Sequence, residues 1–283
     1  FSFVLVALSI STLFIKGLNL GVDFKGGTLI EVRVENTNIG ISEIRQSLLK
    51  MDLEDVTVKK FGKESDYLVK TKIKKGSDES FIQTIKDSMS SDLGTSINFR
   101  RVENVGPKVS KELLKDGMLA ISLSLAAMLI YIWFRFEWQF GIAAIIALVH
   151  DVVITLGIFS FLSYEINLSI VAAVLTIVGY SMNDTVVIFD RVRENLKKFS
   201  DIKIFNLTNI SINETLSRTV ITSITTLLAL LSIYFLGGEI LKGFSLAMIL
   251  GVVFGTYSSI YIANPILVLL KVSQSTILKE DKN

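Results

Sequence analysis

Runs of apolar residues about as long as a bilayer is thick recur along this chain, and no other feature constrains its fold as strongly. A hydrocarbon layer about 30 Å deep needs roughly 17–25 apolar residues of helix. Such segments lie at about Phe1–Leu18, Gly117–Phe134, Phe140–Leu162, Leu168–Phe189, Leu216–Leu236 and Phe244–Leu270. Half of the 283 residues are apolar, and the mean hydropathy is +0.55. A soluble chain of this size would carry polar faces on most helices, so the class is membrane protein in a lipid bilayer. Phe1–Ile15 reads as a truncated membrane helix rather than a cleaved leader, because no small-residue cleavage site follows it.

Composition removes several kinds of chemistry. No cysteine is present, which excludes disulfides and thiolate sites, and one histidine cannot build a histidine-based zinc site. A net charge of +2 gives nucleic-acid binding no electrostatic support. The expected cofactors are none, protons apart.

Short turns after the second, third and fifth spans force antiparallel neighbours. One side of the membrane carries Arg135, Arg191, Arg193, Lys197, Lys198, Lys203, Lys271, Lys279 and Lys282, and the short loops of the other carry only Lys242. The positive-inside rule places the first group, and both termini, in the cytoplasm. The expected division is a first span over 1–20, an outer domain over 21–116, and five spans over 117–271. A cytoplasmic loop over 190–215 and a cytoplasmic tail over 272–283 complete it.

The outer domain alternates in type. Thr28–Val34, Val56–Phe61, Tyr67–Ile73 and Ser96–Val105 read as strands, with a turn at Gly62–Asp66. Ile41–Met51 and Asp78–Leu93 read as amphipathic helices, the second aligning Phe81, Ile85 and Met89. The order βαββαβ is that of a ferredoxin-like antiparallel sheet with two helices on one face. The fold expected is therefore an all-α bundle of six membrane helices with an α+β ferredoxin-like domain between helices 1 and 2. Lys108–Asp116 reads either as a short helix on the membrane surface or as a plain linker.

Ionisable residues inside the spans cost at least about 2.5 kcal/mol each near mid-bilayer and often mark an ion path. Four occur: His150, Asp151, Asp184 and Arg218. Asp184 lies 17 residues after Asn167 and Arg218 lies 19 residues before Gly237. A rise of about 1.5 Å per residue puts both about 25–29 Å from the outer face, on consecutive antiparallel helices. A pair is geometrically natural there, among Ser181, Asn183, Thr185, Thr219, Thr222, Ser223, Thr225 and Thr226. Such a pair can serve a proton relay, because burial and a cation act oppositely on a carboxylate. It can equally be a static ion pair, or Arg218 can snorkel to the headgroups. Asp151, nearer mid-membrane, suits either a helix–helix hydrogen bond or support of proton movement. His150 points about 100° away from it on the helix and suits packing. Ala247, Gly251, Gly255 and Ser259 form a small-residue stripe for close helix contact, inside the chain or on a partner.

Several motifs together resemble one family: GVDFKGG at Gly21–Gly27, VGPKVSKEL at Val105–Leu113, HDVVITLGIFS at His150–Ser160 and GYSMNDTVVIFDR at Gly179–Arg191. INETLSRTVITSITT at Ile212–Thr226, the Gly237–Gly238 pair and GTYSS at Gly255–Ser259 extend the likeness over nearly the whole chain. It is the SecD/SecF family of protein-export membrane proteins, on its SecF side, since SecD chains carry DAN where this chain has Asn183-Asp184-Thr185. The resemblance implies half of a twelve-helix assembly built like a resistance-nodulation-division transporter. It implies SecD as partner, association with the SecYEG translocon and SecA, contact with a preprotein in transit, and use of the proton-motive force. It maps the family's intramembrane Asp and Arg onto Asp184 and Arg218, with a further Asp expected from SecD. Competing readings are a small-molecule exporter of the same superfamily, a structural scaffold, and an intramembrane aspartyl protease using Asp151 and Asp184. The protease reading lacks the expected GxGD segment, since Ser181-Met182-Asn183 precede Asp184.

Overall fold

A computed structural model describes residues 1–36, 39–51, 53, 55–62, 64–72, 79–199 and 202–278. The chain divides into two compact units, Phe1–Asn19 with Leu119–Asn283, and Leu20–Met118. The elements begin with α1 (Ser2–Lys16), β1 (Asn19–Leu20), α2 (Val22–Lys25), β2 (Gly27–Val34), α3 (Ile41–Leu49) and β3 (Thr57–Lys60). Next come β4 (Asp66–Thr71), α4 (Glu79–Leu93), β5 (Ile97–Val105), α5 (Pro107–Arg135), α6 (Trp138–Leu162) and β6 (Glu165–Ile166). The chain continues through α7 (Leu168–Lys198), α8 (Ile204–Leu236) and α9 (Glu239–Ser258). A π turn (Ser259–Ala263), α10 (Asn264–Leu269) and α11 (Gln274–Leu278) follow.

Among the described residues five helices are long and apolar enough to cross a membrane: α5, α6, α7, α8, and α9 with its π turn and α10. The apolar α1 is shorter, at 15 residues. Helix α9 sits at the centre of the membrane unit, packed on α6, α7 and α8. Its small residues make this possible. A Cβ on Gly251 would lie 2.2 Å from Cγ1 of Ile177, and one on Gly255 would lie 2.9 Å from Cβ of Ser181. Ala247, Gly251, Gly255 and Ser259 are all buried, so the stripe packs inside this chain, against α7. Helices α1 and α6 approach as closely, since a Cβ on Gly157 would come within 2.3 Å of Ser9 Cβ. Ser160 Oγ donates to the Gly17 carbonyl at 2.6 Å across the same contact. By contrast the apolar stretch of α5 that follows Asp116 is scarcely buried within this chain.

Asn167 caps α7, accepting from the Ile170 N–H at 3.1 Å, as its residue type favours. At the other end the helix outruns its apolar stretch. α7 continues to Lys198 and α8 begins at Ile204, so the expected cytoplasmic loop over 190–215 is mostly helix. Side-chain bonds outside the hydrophobic layer hold these ends. Arg191 Nε pairs with Glu214 at 2.6 Å and Arg191 Nη1 with Glu194 at 2.5 Å. Asn195 Nδ2 donates to Glu214 at 2.7 Å. A second correction concerns Lys108–Asp116, which is neither a separate surface helix nor a linker. It is the first third of α5, 29 residues long and opened by Pro107, a residue suited to a first helical turn.

In the Leu20–Met118 unit the sheet order is β3-β4-β2-β5, antiparallel throughout. Ile44 and Leu48 of α3 and Ile85 and Met89 of α4 pack with Ile30, Val32, Val58, Val69 and Ile97 in one core. Tyr67 is buried in it, and its hydroxyl donates to the Ile39 carbonyl at 2.5 Å. On the opposite face of the sheet Arg33 grips Asp66 through two bonds of 2.6 and 2.7 Å. The GVDFKGG segment supplies an unanticipated turn of helix, α2, closed by Gly26 at φ 74. Gly27 sits at φ 135, where a Cβ would lie 2.8 Å from the Thr71 carbonyl oxygen, so only glycine fits. Of the expected element ends, Ile73, Asp78, Lys63 in the turn, and Lys279 and Lys282 in the tail lie outside the described residues.

Candidate functional site

Three of the four intramembrane ionisable residues, Asp184, Asp151 and His150, fall into two polar clusters on the helices around α9, and Arg218 stands apart. In the first, Asp184 of α7 is buried at 3% exposure. Thr256 Oγ1 of α9 donates to its Oδ2 at 3.4 Å, and the Thr256 and Ser223 hydroxyls lie 2.7 Å apart. Hydroxyls from α8 and α9 thus connect to the carboxylate on α7.

Arg218 does not close an ion pair with Asp184. It is exposed on α8, and among the described residues no carboxylate forms a salt bridge with it. The shared depth expected from helix rise therefore does not amount to direct contact. The physical reason is angular: α8 turns Thr215, Thr219 and Ser223 inward, and that face leaves Arg218 pointing away from the bundle. Thr219 is buried with its hydroxyl unpartnered among the described residues. Thr222 returns its hydroxyl to the Arg218 and Thr219 carbonyls, both at 3.0 Å. Asn183 is exposed as well. It borders a groove of about 460 Å³ shared with Ser124, Met128 and Tyr131 of α5 and Gly179 and Met182 of α7.

The second cluster is more fully hydrogen-bonded. Asp151 of α6 has no exposure, and its Oδ2 accepts from Ser181 Oγ at 2.6 Å and Ser258 Oγ at 2.7 Å. Its Oδ1 lies 2.9 Å from His150 Nδ1. Adjacent residues on a helix start about 100° apart, yet the two side chains swing together, so the expected separation of His150 from Asp151 is overturned. His150 Nε2 reaches Ser2 Oγ of α1 at 3.2 Å, and Ser2 Oγ donates to Tyr257 OH at 3.1 Å. The imidazole lies over Tyr257, ring centroids 6.2 Å apart and planes 22° from parallel. One turn further along, Thr185 and Ser259 hydroxyls meet at 2.7 Å.

The π turn lies beside this cluster. Pro265 has no N–H to give the Tyr261 carbonyl one turn back, and Asn264 Nδ2 donates to the Ser259 carbonyl at 2.7 Å. Serines 258 and 259 are thereby both turned into the protein, buried completely. Such turns are frequent where a helix carries function. Among the described residues Asp151 and Asp184 share no hydrogen-bond partner: Ser181 and Ser258 hold the one and Thr256 the other. Among the described residues no three acidic or histidine side chains gather as a metal site. Reading the sequence missed Thr256, Ser258, Ser2 and Tyr257. The only signal available was GTYSS, three hydroxyl types on the helix that also carries the small-residue stripe.

Known proteins match this arrangement over most of its length. The family described as Protein export membrane protein SecD/SecF, C-terminal, matches residues 69–273, and the SecD/SecF GG Motif matches 12–37. A protein translocase subunit SecF of Desulfurispirillum indicum is 44% identical over 275 residues, covering 94% of this chain and 87% of its own. Its counterpart from Vibrio alginolyticus is 43% identical over 279 residues, covering 98% and 88%. Among solved structures, the translocon-associated membrane protein SecDF of Thermus thermophilus superposes with a TM-score of 0.86 at 38% identity over 95% of this chain. The chain spans 37% of that SecDF polypeptide. A SecDF in a super-membrane-facing form gives a TM-score of 0.69 at 36% identity.

Proposed function

The chain belongs to the SecD/SecF family of protein-export membrane proteins, and from that premise we propose that it couples proton movement to preprotein export. It is a multi-pass membrane subunit of the Sec protein-export machinery and not an enzyme. The finer reading has α1 as a sixth span, an inner-membrane location, cytoplasmic termini and an outer domain of ferredoxin-like type. The sheet order and the basic residues of the short loops support it. SecD is the partner chain, and SecYEG, SecA and the preprotein are the wider assembly.

The observation that carries the proposal is the state of Asp184 and Arg218. The carboxylate is buried among hydroxyls, while the cation is exposed on α8 with no internal ion pair among the described residues. A guanidinium facing lipid at this depth would be costly. A carboxylate from SecD facing α8 would satisfy it and leave Asp184 free to exchange a proton. When Asp184 is charged it holds Thr256 and, through it, Ser223; when neutral it holds them less, and α7, α8 and α9 can repack. The electrical part of the driving force is about 2.3 kcal/mol per charge per 100 mV. Moving a two-state element from 1:99 to 99:1 takes about 5.5 kcal/mol. The pH gradient must therefore contribute, or more than one proton must move per cycle.

The test is proton-motive-force-stimulated export in Asp184→Asn, Arg218→Met, the double variant and Arg218→Lys. Both single variants lose the stimulation, the double is no worse than either, and lysine, which keeps charge without the planar fork, retains part of it. Strictly additive losses, or wild-type stimulation in Asp184→Asn, would show that the two residues do not act as one switch.

A further inference from the structure

We propose that His150 and Asp151 form a second proton-binding site, linked through Ser2 of α1 to Tyr257 of α9. The inference stands on the Asp151 cluster and does not rest on Asp184.

Donor bookkeeping leads to it. Asp151 Oδ2 already accepts two hydroxyls, from Ser181 and Ser258. Its other oxygen faces His150 Nδ1 at 2.9 Å, so one proton lies between them, on nitrogen or on oxygen. What remains open is Nε2, which faces Ser2 Oγ. A hydroxyl has one proton to give. If Ser2 gives it to Tyr257, then Nε2 must carry a proton and donate to Ser2. The pair then holds two protons and has no net charge, as imidazolium with carboxylate or as imidazole with carboxylic acid. If Tyr257 gives its proton to Ser2 and Ser2 to Nε2, the pair holds one proton and a net charge of −1. Taking up a proton therefore reverses two hydroxyls in a row, from Tyr257→Ser2→His150 to His150→Ser2→Tyr257.

The surroundings make this proton matter. The pair is buried, Asp151 wholly and His150 at 6% exposure. From α7 it is faced by Ser181, with Asp184 one turn on, and from α9 by Tyr257 and Ser258, with Tyr261 stacked beyond Tyr257 at 5.0 Å. From α1 it is faced by Ser2. Among the described residues no lysine or arginine pairs with it, and His150 and Asp151 are each other's only ionic partner. A net charge at this site would be uncompensated and therefore expensive. A group that only packed would need neither the imidazole nor the hydroxyl path.

Because the chain holds one histidine, labelling histidine with nitrogen-15 reports on His150 alone. The measurement is a pH titration of its two ring nitrogens by NMR, on the full chain in lipid nanodiscs, purified without a histidine tag. The expected result is one protonation step at Nε2, with Nδ1 hydrogen-bonded on both sides of it. Asp151→Asn and Tyr257→Phe should each shift that step by about one pH unit or more, tenfold in proton affinity. Asp184→Asn should leave it in place. A ring that keeps one neutral form at every pH, in the unaltered chain, overturns the proposal and makes His150 a packing residue. So does a titration that Tyr257→Phe and Asp151→Asn leave untouched. Loss of export in Asp184→Asn with an unchanged His150 titration supports two separate sites, whereas failure of the Asp184 reading alone leaves this one standing.

Discussion

Gly251→Ala places one methyl group where α9 meets α7, and the cost can be worked from the contact. The new Cβ would lie 2.2, 2.6 and 2.8 Å from Cγ1, Cδ1 and Cγ2 of Ile177. Carbon atoms rest at about 3.5–4.0 Å, so the overlap exceeds about 1 Å at the nearest atom. All three clashing atoms belong to one β-branched side chain at 1% exposure, which has little rotamer freedom on a helix. The helices must separate instead, at a cost of about 1–3 kcal/mol for overpacking. Ile177→Ala alone opens a cavity and costs about 2–5 kcal/mol. Together the two changes relieve each other, and the double variant should fall short of the sum by about 0.5–3 kcal/mol. The assay is reversible unfolding of all four proteins in mixed micelles of increasing denaturing detergent. Additive losses, or an alanine at 251 without effect, would refute the claim that the stripe fixes the α7–α9 distance.

Two further outcomes concern the Leu20–Met118 unit. Tyr67→Phe removes the hydroxyl that satisfies the Ile39 carbonyl and should cost about 1–3 kcal/mol, read as roughly 5- to 150-fold faster hydrogen exchange of β4 amides. Equal exchange in the two proteins would mean another donor replaces the phenol. Gly27→Ala forces a side chain against the Thr71 carbonyl at φ 135, so protection at the β2–β4 pairing should drop while that of α3 drops less; unchanged protection at β2–β4 would contradict the strain argument.

What the sequence revealed and what it hid divide along physical lines. The apolar spans were legible because hydropathy is a local property, and Asn167 marked the start of α7 through its own capping chemistry. The far ends of α7 and α8 were not, because helix continues past the lipid wherever ion pairs such as Arg191–Glu214 support it. Asp151 and Asp184 announced themselves by charge. Their partners did not: Ser181 and Ser258 reach Asp151 from 30 and 107 residues away, and a serine in an apolar run signals nothing by itself. Helix rise placed Asp184 and Arg218 at one depth, but depth says nothing of the angle around α8, and that angle exposes Arg218. The π turn followed from Asn264-Pro265, a pair that reads equally well as an ordinary helix end.

The central claim is that Asp184 changes its protonation as the proton-motive force drives export. Infrared difference spectroscopy on the chain reconstituted with SecD, stepping the pH on one side of the membrane, tests it most directly. The account requires a carboxylic-acid carbonyl band that rises and falls with the step, shifts when aspartate is carbon-13 labelled, and is absent in Asp184→Asn while the bands of Asp151 remain. The same band persisting undiminished in Asp184→Asn would contradict it, and Asp184 would then be a structural hydrogen-bond acceptor for Thr256.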